Sequence, residues 1–126
     1  MEIVRRGFAA WNAGEMERLP ELYDPDVIMR APPGWPEPGP FVGREAVMQQ
    51  FRQVRDAFEN DFMEFVGDFL TAGDRVIVRS NWHGTGHGPQ SDMEWTNVFT
   101  IRNGRIFGVE YFWDHAEALE AAGLSE

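Results

Sequence analysis

An α+β fold is predicted for this chain by three observations. Apolar residues recur at helical spacing from Ile3 to Trp11 and again from Val47 to Phe58. From about Asp61 to Trp113 the pattern changes to that of β-strands. Within that stretch Asn103-Gly104 is the two-residue signature of a tight hairpin.

Taken in order, Ile3, Val4, Phe8 and Trp11 mark a first helix, and Gly14 stands where a helix commonly ends in a left-handed residue. A short second helix is expected from Glu15 to Tyr23, kinked or late to start because Pro20 removes a backbone donor. Asp24-Pro25-Asp26 reads as a turn, Val27 to Ala31 as a short strand, and Ala31 to Pro40 as a stiff loop rich in proline and glycine. Val47, Phe51, Val54 and Phe58 place the longest helix between Gly43 and Phe58. Strands follow over Phe62–Thr71, Arg75–His83, Asp92–Arg102 and Arg105–Trp113, with a turn at Ala72-Gly73-Asp74 and a glycine-rich connection after His83. Asp114 and Glu117 have the spacing of a capping box, opening a last helix that stops at Gly123.

The totals bound what such a fold does. A length of 126 residues fits one domain over 1–126 and buries roughly two thirds of its unfolded surface without disulfides or metals. A net charge of −10 repels phosphate backbones and anionic lipid, which excludes nucleic acid and the membrane surface as partners. The absence of cysteine removes thiolate chemistry and cysteine-based zinc sites. With no apolar run of membrane-spanning or leader length, a cytoplasmic location is expected by default. Five Trp and ten Phe exceed what a minimal core needs, and aromatic side chains make good walls for flat ligands.

Strand alternation selects the pocket wall. Val76, Val78, Ser80 and Trp82 share one face, expected to be the inner one; on the next strands the inner set is Met93, Trp95, Asn97, Phe99 and Ile101, then Phe107, Val109, Tyr111 and Trp113. Asn97 is the polar exception, either tied to backbone groups or reserved for a ligand. On the outer face Ile77, Val98, Ile106 and Phe112 leave an apolar surface that suggests a homodimer.

The segments FAAWNAGEMERLPELYDPDV, FVGREAV and NGRIFGVEYFWDHAEALEAAGL, in this order and spacing, resemble the SnoaL-like branch of the nuclear transport factor 2-like superfamily over nearly the whole chain. The resemblance implies a cone-shaped, cystatin-like fold, in which a strongly curved antiparallel sheet wraps around the N-terminal helices, often as a dimer and with a deep apolar cavity. It implies ketosteroid isomerase, epoxide hydrolase or polyketide cyclase chemistry as precedents. Set against the isomerases, the base carboxylate is replaced near Ala31, the helix-one tyrosine near Gly7, and the oxyanion-binding acid at or near Asn97. Against the epoxide hydrolases, the Asp-Arg-Asp set falls approximately on Ser80, Trp82 and Tyr111. Asp114 matches the acid that the cyclases carry before the last helix.

The candidate catalytic residues are therefore Asp114, Asn97 and Tyr111, and the candidate substrate-binding residues Trp11, Tyr23, Met29, Trp35, Ser80, Trp82, Trp95, Phe99 and Trp113. Several carry a purely structural alternative: Asp114 as an N-cap, Tyr111 as a buried hydrogen-bond donor, Tyr23 as packing at a helix end, Trp35 as a lid over the cavity or a surface plug. His83 and His87, with Asp92 nearby, suggest a metal site, but the glycines around them favour a plain hairpin loop, and no metal or other cofactor is expected. Three readings remain open: cofactor-free acid/base isomerisation or cyclisation of an apolar carbonyl compound such as a polyketide or steroid-like ring system, binding of a hydrophobic ligand without turnover, and a mere dimerisation module.

Overall fold

The computed structural model describes residues 2–35, 39–58, 60–67, 69–86 and 88–123, with the main chain alone at 88–91. Among the described residues, four helices and seven strands follow the predicted α+β order: α1 (Glu2–Ala13), α2 (Leu19–Leu22), β1 (Tyr23–Arg30), β2 (Phe41–Val42), α3 (Arg44–Asp56), β3 (Asn60–Phe65), β4 (Leu70–Ala72), β5 (Arg75–Gly86), β6 (Gly88–Arg102), β7 (Arg105–Phe112) and α4 (His115–Ala121). The strands form one sheet in the order β2-β1-β7-β6-β5-β3, with β4 also on β5. All pairings are antiparallel except that of β1 with β7. The sheet is curved and does not close on itself.

Helix α1 ends as its sequence dictates. Gly14 takes φ 75° and, with Glu15, donates back to the carbonyls of Trp11 and Ala10, the paired bonds of a Schellman cap. A single 3₁₀ turn over Met16–Arg18 precedes α2, whose first turn holds Pro20 where its missing N–H has no intrahelical partner to lose. Val4, Phe8 and Trp11 of α1 and Val47 and Phe51 of α3 meet Val76, Val78, Phe99 and Val109 of the sheet in the main core. On the opposite face α4 lays Ala118 and Ala122 over Ile77 and Val98, and Arg75 donates to the carbonyl of Ala121.

The structure departs from the expected elements at five places. Asp24-Pro25-Asp26 is the irregular opening of β1, where the register against β7 shifts and the Asp26 amide donates to the Asp24 side chain. Phe41–Val42 forms a short edge strand on β1. The segment expected as one strand, Phe62–Thr71, is two, both paired to β5. The glycine-rich connection is largely strand: β5 runs to Gly86 and β6 starts at Gly88, leaving His87 outside the described residues.

The fifth departure changes which side chains face inward. Thr100 pairs with Gly108, yet Ile101 pairs with Ile106, so β7 carries one extra residue at Phe107. Such a bulge shifts the alternation by one. Ile106 is therefore fully buried in the main core, while Phe107 lies on the outer face under the Arg102 guanidinium. The outer apolar surface is accordingly smaller than expected, since Ile106 faces inward and α4 shields Ile77, Val98 and Phe112.

Candidate functional site

A cavity of about 60 Å³ lies between the concave face of the sheet and α1, α2 and α3. Its wall is almost wholly apolar and aromatic, including Phe8, Trp11, Leu19, Phe51, Met63, Trp82, Trp95 and Phe99. Its polar contributors, besides the indole edges, are Tyr23, Asn97 and Tyr111.

Asn97 is the centre of the site. It points inward from β6, only 2% exposed, and its Oδ1 accepts a hydrogen bond from the Trp95 indole at 3.1 Å. Its Nδ2 makes no hydrogen bond of ordinary length among the described residues and is engaged only weakly, by the Tyr111 phenol oxygen. A neighbouring indole, not the backbone, thus holds the amide, and the held oxygen leaves the nitrogen as a buried donor with spare capacity beside Tyr111. Such a group costs about 1–3 kcal/mol unless something accepts from it.

Tyr111, opposite Asn97 in the β6–β7 ladder, has its phenol pushed up to about 12 by burial, with a hydrogen bond donated by the Asn97 side chain acting the other way. The Tyr23 phenol is raised by burial and, secondarily, by Tyr111. Both phenols keep their protons across the physiological range and act as donors. Trp35 closes this end: it stacks on Tyr111 at 6.4 Å and 29°, and meets Trp95 and Trp113.

The indole wall is held from behind by a residue that sequence reasoning passed over. Asp61 of β3 is buried, and its Oδ2 accepts from Trp11 Nε1 at 2.7 Å and from Trp82 Nε1 at 2.9 Å. Its Oδ1 forms an ion pair with Arg55, whose guanidinium also donates to the Trp11 carbonyl and lies 4.7 Å over the Trp11 ring. The available signal was the donor count, since buried indole N–H groups require acceptors.

The sequence-predicted residues divide cleanly. Trp11, Tyr23, Trp35, Trp82, Trp95, Asn97, Phe99 and Tyr111 converge on the cavity. Met29 lines a smaller neighbouring cavity instead. Ser80 faces inward and is fully buried but lies outside the cavity wall. Trp113 is 43% exposed at the rim, its indole donating to the Pro33 carbonyl at 2.7 Å. Asp114 is exposed and accepts from the Ala116 amide at 2.8 Å. That geometry is the N-cap of α4, worth about 0.5–2 kcal/mol, and it keeps the carboxylate out of the cavity because β7 has already ended at Phe112.

His83 is on the outer face, and its two ring nitrogens sit 2.5 Å from Asp92 Oδ1 and 2.7 Å from Glu64 Oε1. Hydrogen bonds to Asp92 and then to Glu64 raise its pKa, against a lowering by burial. A folded pKa above the unfolded value of about 6.5 adds stability that is complete below that pH and is lost as pH rises through the folded value. The melting temperature is thus expected to fall with rising pH over this window, and His83→Gln to flatten the profile. A profile unchanged by the substitution would refute the linkage.

Residues 4–109 match the SnoaL-like domain. Bal32a, from a soil-derived mobile gene cassette, is 30% identical with TM-score 0.79, over 87% of this chain and 85% of that one. A Sinorhizobium meliloti protein provisionally assigned as a polyketide cyclase is 25% identical with TM-score 0.74, over 88% and 94%. A Catenulispora acidiphila protein of ketosteroid isomerase-like fold, solved with trimethylamine, shares the fold at 21% identity and TM-score 0.74, over 98% and 93%. No curated protein matches the chain.

Proposed function

The chain belongs to the family of SnoaL-like domains, and from that premise we propose that it binds a small apolar molecule bearing a carbonyl group, whose oxygen accepts from Asn97 Nδ2 beside the Tyr111 phenol. One observation carries this reading: a buried amide donor, engaged only weakly and by a phenol oxygen, stands in a wall of aromatic rings. About 60 Å³ is small beside the roughly 300–1,000 Å³ of sites for drug-sized ligands. Even a one-ring ketone requires Trp35 to shift, since an apolar cavity that takes up benzene is already about 150 Å³, and a polyketide or steroid-like ring system requires a larger displacement. Titration with 4-phenylbutan-2-one, followed by calorimetry, is expected to show binding that Asn97→Leu weakens by roughly tenfold, the size of one well-made buried hydrogen bond. Unchanged affinity in that variant would remove Asn97 from the site.

A second reading, an isomerase or cyclase, is favoured by the convergence of two neutral phenols and an amide, an arrangement that stabilises negative charge on an enolate oxygen. None of the described lining residues is a carboxylate or an imidazole able to take the proton, which is why binding is placed first. Deuterium uptake at the carbons flanking the ketone of 4-phenylbutan-2-one in D₂O decides between them. Acceleration by the protein establishes turnover, and exchange at the buffer rate leaves binding.

We also propose a homodimer formed through the part of the outer sheet face that α4 leaves open. There Ile28, Phe107 and Gly108 line a groove of about 210 Å³. Light scattering at micromolar concentration is expected to give twice the chain mass, and the mass of one chain would refute the dimer.

A further inference from the structure

A second cavity of about 20 Å³ adjoins the first, and Trp35, Phe51, Val54 and Tyr111 belong to both walls. Gln50 lines only this smaller cavity, as Asn97 lines only the larger. It sits on α3 in the turn between Val47 and Phe51, where an aliphatic side chain would complete the core. Instead it buries an amide that is 7% exposed, with an Oε1 that has no hydrogen-bond partner among the described residues. Two under-satisfied amide groups of complementary sense thus belong to the walls of two cavities divided by side chains alone: an N–H donor on Asn97, engaged only weakly by Tyr111, and an unpaired carbonyl acceptor on Gln50. A buried polar group left unpaired is disfavoured in either sense, and one molecule reaching both would satisfy both.

We propose that the two cavities are the two ends of one site, and that its ligand is an apolar hydroxyaryl ketone. The ketone oxygen accepts from Asn97 Nδ2, and the hydroxyl at the other end donates to Gln50 Oε1. The nearly parallel rings of Trp35 and Tyr111 form the shared wall, and a shift of Trp35 opens one cavity into the other. A hydroxyl suits the Gln50 end and a carboxylate does not, because the orphaned atom is itself an acceptor and none of the described lining residues is cationic. This inference rests on the binding reading above and names the ligand class for the same site.

Three matched probes test it by calorimetry: 4-(4-hydroxyphenyl)butan-2-one, its parent 4-phenylbutan-2-one, and 4-butylphenol. The hydroxy ketone is expected to bind the wild-type protein about five- to tenfold more tightly than the parent ketone. Gln50→Leu should abolish that advantage and leave 4-phenylbutan-2-one unaffected, while melting no lower than wild type because an unpaired amide is exchanged for an apolar group. Gln50→Met serves as a second variant with the same expected outcome. Asn97→Leu should weaken both ketones and spare 4-butylphenol. Equal affinity of the two ketones for wild type overturns the inference while leaving the binding reading intact, and so does equal weakening of both by Gln50→Leu. Failure of 4-phenylbutan-2-one to bind at all overturns the binding reading, and this inference with it.

Discussion

Asp61→Ala is expected to destabilise the protein by about 3 kcal/mol, a drop in melting temperature on the order of 10–15 °C for a chain of this length. The reason is the number of groups that one carboxylate serves. It accepts the indole protons of Trp11 and Trp82 and balances the charge of Arg55, and its own side chain is completely buried. Removing it orphans two buried N–H donors and leaves a guanidinium unpaired. The Arg55 side chain keeps 20% of its surface in water, so part of that charge stays solvated and the expectation sits at the lower end of the range for broken buried pairs. Asp61→Asn retains oxygen and shape but loses the charge, and should fall between wild type and alanine. Because both indoles line the cavity, the alanine variant should also bind 4-phenylbutan-2-one more weakly. An alanine variant melting within about 3 °C of wild type would show that the cluster is not what holds the wall.

Gly84→Ala is the second large effect, at about 2–3 kcal/mol of lost stability. Gly84 stands opposite Asp61 in the β3–β5 ladder, and a methyl group there would overlap Trp82 Cη2 while lying 2.8 Å from Trp82 Cζ2 and 2.9 Å from Phe58 Cδ1. The Trp82 ring has little room to yield: it is packed edge-on against Phe58 at 4.8 Å, and its indole N–H is tied to Asp61. Replacing that ring with a smaller one should relieve the clash. The pair Gly84→Ala with Trp82→Phe is therefore expected to lose less than the sum of its single losses, the signature of residues in contact. Thermal denaturation of the four proteins measures this. Strict additivity, or a Gly84→Ala protein as stable as wild type, would refute the close packing.

Much of the fold was legible because it is written in local spacing. Val4, Phe8 and Trp11 repeat at the helical period, Asn103 and Gly104 both take the positive φ of their turn, and Val76, Val78, Ser80 and Trp82 alternate onto the buried face as read. The aromatic wall and the inward Asn97 follow from the same alternation. The misreadings share a cause. Ile106 and Phe107 are adjacent and both apolar, so period two alone does not tell which faces inward, and the bulge opposite Thr100 and Ile101 decides it. The glycines after His83 suggest a loop, but Gly84 belongs to a strand because only a residue without a side chain fits beneath Trp82.

The sequence by itself determined the α+β order, the inner face of β5 and β6 and an aromatic inner wall, since each depends on residues a few positions apart. Only the tertiary structure decided that Asp61 holds that wall, that Asn97 leaves a donor only weakly engaged, and that Asp114 caps α4 outside the cavity. Asp61 meets Trp11 across 50 positions and Trp82 across 21, and hydrogen bonds of that span exist only once the sheet has curved around α1 and brought the three side chains together.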